Sequence, residues 1–292
     1  MFERTTLRLV RHHHKIRRRI RDLVRRASYA VYPISDEYDR APLERGALHN
    51  VIDPNPAYPE AQGETAIFST YCGRTRAFTF DHNNRARIYP HYFVSNNRRV
   101  LEITSHFGWR PIFLDVPIVA NPVEAAQQAK IAKALPHLFP DLRKYRFLVY
   151  SDDKQRIHHD AIPGEIEMLT KANGALALKL SPHVSDNVLW EFTDTLMQNR
   201  YRTQAHRMLR YVLGQLEAGK SLDTDRMFMT GYGVRDLHNS AAIHLSEKWY
   251  DDILVCGIDC QLAFDFLAQN EPKIIDLPAP KRKKYLGKKI TE

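Results

Sequence analysis

In Phe147-Leu148-Val149-Tyr150-Ser151-Asp152-Asp153-Lys154, two adjacent carboxylates directly follow an apolar, aromatic run. Such a run reads as a buried strand, and in open α/β sheets ligands bind beyond the carboxyl ends of the strands. Carboxylates at that place are sited to hold a hard divalent cation. Mg²⁺ or Mn²⁺ takes oxygen ligands and commonly bridges protein carboxylates to phosphates. The chemistry would be charge neutralisation on a departing nucleotide diphosphate. Asp-Asp after a strand is also good turn chemistry, and the pair taken alone favours that plainer reading.

The elements that must position these residues can be read on either side. Strand signals fall at 65–71 (TAIFSTY), 92–95 (YFVS), 111–115 (PIFLD), 146–151 (RFLVYS) and 175–180 (ALALKL), each short and bounded by polar or turn residues. Between the third and fourth lies a clear helix. Asn121 suits its N-cap, Pro122 its first position and Glu124 its third, and Pro136 stops it near Leu135. The second half is helix-rich. Ser185-Asp186 can cap a helix reaching Asn199, a second runs over 203–218 with Gly219 as C-cap, a third starts at Asn239 or Ser240 and carries Trp249, and Asp259 starts the last. Strands alternating with helices imply an α/β fold with a mainly parallel sheet covered on both faces.

The 292 residues suit one large α/β domain, and a hydrophobic fraction of 43% is enough to bury a core. The net charge of +9 is unevenly placed. Residues 1–30 hold ten Lys and Arg against two acids, residues 281–292 hold six against one, and the body between is mildly acidic. The expected organisation is a basic amphipathic helix over 1–32, a Pro-rich arm over 33–64, the domain proper over 65–275 and a basic tail over 276–292. Basic ends on an acidic body suit an anionic membrane surface. A nucleic-acid enzyme would more often carry its charge over its body, and that reading ranks last. Cys72, Cys256 and Cys260 are too few and too odd for a disulfide framework, which points to a reducing, cytoplasmic compartment, and the basic residues 1–30 add peripheral attachment at a membrane to that expectation. No stretch is apolar and long enough to span a bilayer.

From about Ala66 to Leu267 the chain resembles the GT-A-type glycosyltransferase-like family that includes plant mucilage-related and ceramidase-related proteins. The residues that carry the resemblance are the opening strand, Tyr92–Ser95, Gly108-Trp109, Lys130 and His137-Leu138-Phe139-Pro140. They continue with Tyr150-Ser151-Asp152-Asp153-Lys154, Leu176 through His183, Trp190-Glu191, Arg235-Asp236-Leu237-His238-Asn239, Trp249, and Asp259-Cys260-Gln261 before Phe264. Three departures stand out. Cys260 splits the family's Asp-Gln pair, Pro182 precedes His183 where proline would follow it, and Tyr150 replaces a tryptophan.

The resemblance implies a GT-A-like, Rossmann-type fold and a UDP- or GDP-linked sugar donor held near Tyr71, Gly73, Arg74, Asn96 and Lys130. It implies Mn²⁺ or Mg²⁺ on Asp152 and Asp153, with His238 or His244 completing the shell. His183, Glu191 and Asp259 would lie on the acceptor side, where a carboxylate could deprotonate a hydroxyl. Each has a plainer alternative: a solvated lysine for Lys130, surface histidines for His238 and His244, an exposed helix residue for Glu191. The function implied is metal-dependent sugar transfer to a polysaccharide or lipid-linked glycan. The split Asp-Gln element leaves an inactive binding or scaffold protein as the alternative.

Overall fold

The computed structural model describes residues 43–81, 83–181, 187–224 and 226–278. The basic helix expected over 1–32, most of the basic tail, His183 and the Ser185-Asp186 cap lie outside the described residues.

The apolar runs become β1 (Thr65–Thr70), β2 (His91–Ser95), β3 (Arg110–Phe113), β4 (Phe147–Ser151) and β5 (Leu176–Leu180). Two further strands, β6 (Phe228–Asp236) and β7 (Ile274–Leu277), complete a seven-stranded sheet of order β3-β2-β1-β4-β6-β5-β7. All pairings are parallel except those of β6, which runs against both β4 and β5. The fold is therefore the expected mainly parallel sheet flanked by helices. Every residue of β1, β2 and β4 is buried, which is why these strands read as continuous apolar runs and not as alternating ones. The two faces feed two cores. Phe68, Tyr92, Leu148 and Tyr150 pack with Trp249, Phe264 and Phe266, while Ile67, Phe93, Phe147 and Val149 pack with Trp109 and Tyr232.

The helices are α1 (Arg98–Ser105), α2 (Pro122–Ala134), α3 (Pro140–Arg143), α4 (Ile162–Lys171), α5 (Leu189–Thr195), α6 (Asn199–Arg202), α7 (Ala205–Glu217), α8 (Ser240–Cys256) and α9 (Cys260–Leu267). Asn121 caps α2 by accepting from the amides of Val123 and Glu124, Asn239 caps α8, and Asp259 caps α9, all as their sequence positions require. The helix expected to reach Asn199 stops at Thr195, and a separate short one begins at Asn199. The Thr195 hydroxyl bonds back to the carbonyls of Glu191 and Phe192, a local competition that weakens helix continuation. β6 escapes sequence reading because Gly231 and Gly233 look like breakers. At Gly233 a Cβ would stand 3.1 Å from the Ala177 carbonyl oxygen, so the glycine lets β5 and β6 close up.

The described part of the Pro-rich arm packs onto the domain instead of leading up to it. Leu48 and Ile52 are buried, Ile52 bridges Leu114 beyond β3, and Tyr58 sets its ring edge-on to Tyr92 at 5.8 Å. Asp141 in α3 fastens it by accepting from the amides of Ala57 (3.0 Å) and Tyr58 (2.9 Å), with Lys144 at 3.2 Å. Asp141→Ala leaves those amides without their acceptor and is expected to cost about 1–3 kcal/mol in urea unfolding. Asp141→Asn, which keeps one carbonyl acceptor, should cost less.

Candidate functional site

Strand order reverses at β1: the chain runs outward through β2 and β3, then returns to place β4 on the other side of β1. At such a switch point the loops after the two strands diverge and leave a crevice. A cavity of about 510 Å³ lies there. Its walls are residues 71–74 after β1, residues 152–155 after β4, Arg76, Arg200 of α6 and one face of α2. That face is Pro122, Ala125, Ala126, Ala129, Lys130 and Lys133, a helical spacing in which alanines leave room and two lysines supply charge.

The wall at Gly73 is held from both sides. The Gly73 amide donates to Asn96 Oδ1 at 3.0 Å, and its carbonyl accepts from Asn97 Nδ2 at 2.9 Å. Asn96 also donates to the Pro117 carbonyl and to Gln128. It is buried and does not line the cavity, so it positions the Gly73 peptide. Gly73 has φ +120°, and a Cβ there would lie 3.2 Å from Ala125 Cβ, a conformation and a space that both demand glycine. The Tyr71 hydroxyl donates to the Arg74 carbonyl at 2.8 Å.

Asp152 faces the cavity with its side chain 40% exposed, while its partner Lys133 is 3% exposed. Lys133 Nζ stands 3.4 Å from Asp152 Oδ1, which also accepts the Tyr150 hydroxyl at 2.5 Å. Burial pushes the Asp152 carboxyl up, but the ammonium groups of Lys133 and Lys130 and the Tyr150 hydroxyl outweigh it and hold the group below its ordinary value. Asp153 lacks such partners: burial, with the neighbouring Asp152 charge adding to it, raises its carboxyl to about 6 against the pull of Lys154. Lys130 is in hydrogen-bonding reach of the Cys260 thiol. Burial disfavours its charge, yet Cys260 and Asp152 together keep the ammonium above its ordinary value. Cys260 answers: its burial is overcome by Lys130 and Lys133, and its thiol is lowered. The structure thus brings together Tyr71, Gly73, Arg74, Lys130, Asp152 and Asp153, with Asn96 behind them. Sequence reading missed Lys133, Lys154, Gln155, Arg76 and Arg200. Lys133 was findable, being three residues from Lys130 and so on the same helix face.

Behind Cys260 lies an acidic group. Burial, then the charges of Asp259, Asp194 and Cys260, push the Glu191 carboxyl up to about 8. Asp259 is 2% exposed; its Oδ1 accepts the amides of Gln261 and Leu262. Its visible role is the N-cap of α9, and it does not reach the cavity wall. Trp190 is 58% exposed beside Glu191, whereas Trp249 is core. His238 is placed elsewhere. β6 runs antiparallel to β4 with Asp236 opposite Phe147, so His238 sits at the amino-terminal end of β4 and Asp152 at the other end. It cannot share an ion with Asp152. His244, in the first turns of α8, follows at that same pole.

The residues present do not make a resident dication site. Among the described residues no three His, Cys, Asp or Glu converge, and of the two carboxylates in the cavity wall Asp152 already holds an ammonium and a hydroxyl on Oδ1. A larger cleft of about 790 Å³ runs along the β3 edge, but Asp53, Glu102, Asp115 and Asp141 in its walls outnumber Arg98, which would repel a phosphate. No helix among the described residues is long and apolar enough to cross a membrane.

No protein-family model and no curated protein matches the sequence. Among solved structures, the chain is similar to mouse xyloside xylosyltransferase 1 in its apo form, at 10% identity and a TM-score of 0.44, over 73% of this chain and 84% of that one. It is similar to the mannosyltransferase Ktr4p from S. cerevisiae at 12% identity and 0.40, over 88% and 78%. It is also similar to core-mannan synthase A from Aspergillus fumigatus in an Mn/GDP form at 11% and 0.41, over 84% and 81%.

Two outcomes are expected. At Gly231 a Cβ would come within 2.9 Å of Asp152 Oδ2 and press on Gln155. Gly231→Ala should therefore displace Asp152 and cost about 1–3 kcal/mol in chemical denaturation. For Glu191, the folded chain holds the proton more tightly than the unfolded one. Its contribution to stability is full below the ordinary value of 4.5 and lost as pH rises through about 8. Glu191→Gln should flatten the fall in Tm between pH 5 and pH 9; an unchanged fall would remove the assignment of that proton to Glu191.

Proposed function

We propose that this chain transfers a sugar from a nucleoside-diphosphate donor, UDP- or GDP-linked, to a glycan acceptor, with the cavity between β1 and β4 as donor site. The observation that carries the reading is the cavity's charge: Arg74, Arg76, Lys130, Lys133, Lys154 and Arg200 face it against Asp152 and Asp153 alone, in a chain whose body is otherwise mildly acidic. A strongly cationic crevice at the switch point of a parallel sheet suits a diphosphate. The family resemblance in the sequence points the same way. Under this reading Arg74 and the two α2 lysines clamp the diphosphate, and the Gly73 peptide allows close approach of the nucleotide. Glu191 is the candidate base for the acceptor hydroxyl, since a carboxyl titrating near the working pH is suited to proton transfer. Trp190, exposed beside it, offers an apolar face to a sugar ring. Residues 1–30 would hold the protein at an anionic surface where a lipid-linked acceptor is found.

A second reading, binding without transfer, draws on Asp259, which caps a helix and does not reach the cavity. The two separate in a sugar-nucleotide hydrolysis or transfer assay once binding is established. Binding is read first by thermal shift with UDP, GDP and other nucleoside diphosphates, with and without Mn²⁺. At a ligand concentration 100 times Kd the folded state gains about 2.7 kcal/mol, a readily measured rise in Tm. Arg74→Ala and Lys130→Ala should each shrink that rise. No rise with any nucleotide under any condition would overturn the donor-site assignment.

A further inference from the structure

We infer that the donor cavity neutralises the charge of a nucleoside diphosphate with lysine ammonium groups, principally Lys133 and Lys130, in place of a resident divalent cation. The inference rests on the nucleotide-sugar reading of the same cavity and goes beyond it in naming what balances the leaving group.

Lys133 occupies the position a cation would take. Its Nζ lies 3.4 Å from Asp152 Oδ1 and 3.5 Å from Thr230 Oγ1, and 5.0 Å from the centroid of the Tyr150 ring. It is a built position. The side chain is 3% exposed, and the Lys133 carbonyl accepts from Arg235 Nη2 at 2.7 Å. Arg235 is itself buried, its guanidinium 5.7 Å from the centroid of the Trp249 ring. The end of α2 is thereby pinned to β6 and the core, and the ammonium is fixed beside the carboxylate.

Two arguments disfavour a dication beside it. The first is coordination: such an ion wants about six oxygen ligands at close range, and Asp152 Oδ1 already accepts from Tyr150 at 2.5 Å and from Lys133. Among the described residues no set of three metal-binding side chains gathers there. The second is charge. The six cations against two carboxylates already exceed what a diphosphate diester brings. A further doubly charged ion beside Asp152 would be repelled by the ammonium already held there. A lysine can do the same work as a fixed point charge, and it is a common phosphate ligand.

In the transfer, the bond from the sugar's anomeric carbon to the β-phosphate oxygen breaks and leaves its electron pair on that oxygen. The acceptor oxygen forms the new bond to the same carbon, and its proton passes to a base. The negative charge that gathers on the diphosphate lies against Lys133 and Lys130, which need not move as it forms.

The test is calorimetric titration of the full chain with UDP and with GDP, first in EDTA and then with Mn²⁺. The expected result is a Kd that differs by less than about threefold between the two conditions, and that weakens by about tenfold or more in Lys133→Met. Lys130→Met, and the charge-balanced pair Lys133→Met with Asp152→Asn, serve as variants should the single substitution not fold, with circular dichroism as the check. Steeply weaker binding at higher NaCl in EDTA is also expected. Nucleotide binding that appears with Mn²⁺ and is lost in EDTA would overturn this inference while leaving the donor site in place. Binding in neither condition would overturn the donor site, and this inference with it.

Discussion

The contact between the Lys133 ammonium and the Asp152 carboxylate is the constraint around which the carboxyl end of the sheet is arranged. An ammonium as deeply buried as Lys133 is tolerated only with a partner, because removing a charge from water without compensation costs several kcal/mol, a large part of a domain's stability. Asp152 supplies the compensation, and much local structure serves to keep it there. Tyr150, next to last in β4, donates its hydroxyl to the same carboxylate oxygen. The Asp152 amide is tied to the Gly231 carbonyl at 2.8 Å, and the missing side chain of Gly231 leaves the other carboxylate oxygen its space.

From that pair the charges run in alternation into the protein. Asp152 is followed by the two lysines of α2, then by the Cys260 thiol, then by Glu191 and Asp259. Each member moves its neighbour's protonation, so the cavity is not an isolated patch of positive surface but the outer end of a graded series. Lys130 is the hinge of the series, held as a cation from both sides.

Much of this was legible from residue types alone. The strands of the sheet's centre announced themselves because they are buried on both faces, and Asn121, Asn239 and Asp259 marked helix starts because an unsatisfied helix amide needs a side-chain acceptor. Asp152, Gly73 and Arg74 were found because strand ends are where α/β chains place their ligands. What was not legible depended on pairing distant segments. Lys133 gains meaning only when the end of α2 is brought beside Tyr150 and Asp152, and His238 loses its place only when β6 is seen to run backwards. Strand β6 itself was hidden by glycines whose purpose is tertiary, and the Pro-rich arm looked free because the Asp141 carboxylate that fastens it is more than 80 positions away.

The reversed strand has a consequence for how the molecule comes into being. β4 is complete at Ser151, but its second neighbour, β6, does not begin until Phe228, and β6 also separates β4 from β5. A nascent chain therefore holds an open sheet edge over some eighty residues of synthesis, with β5 made early and kept waiting. Pairings of such long sequence separation close slowly. Thr230, Gly231 and Arg235 all arrive on that late strand, and the contacts that seat Lys133 and Asp152 arrive with them. The stretch up to Gln155, although it carries every residue of the cavity wall except Arg200, is left unfinished until the centre of the sheet is filled from behind.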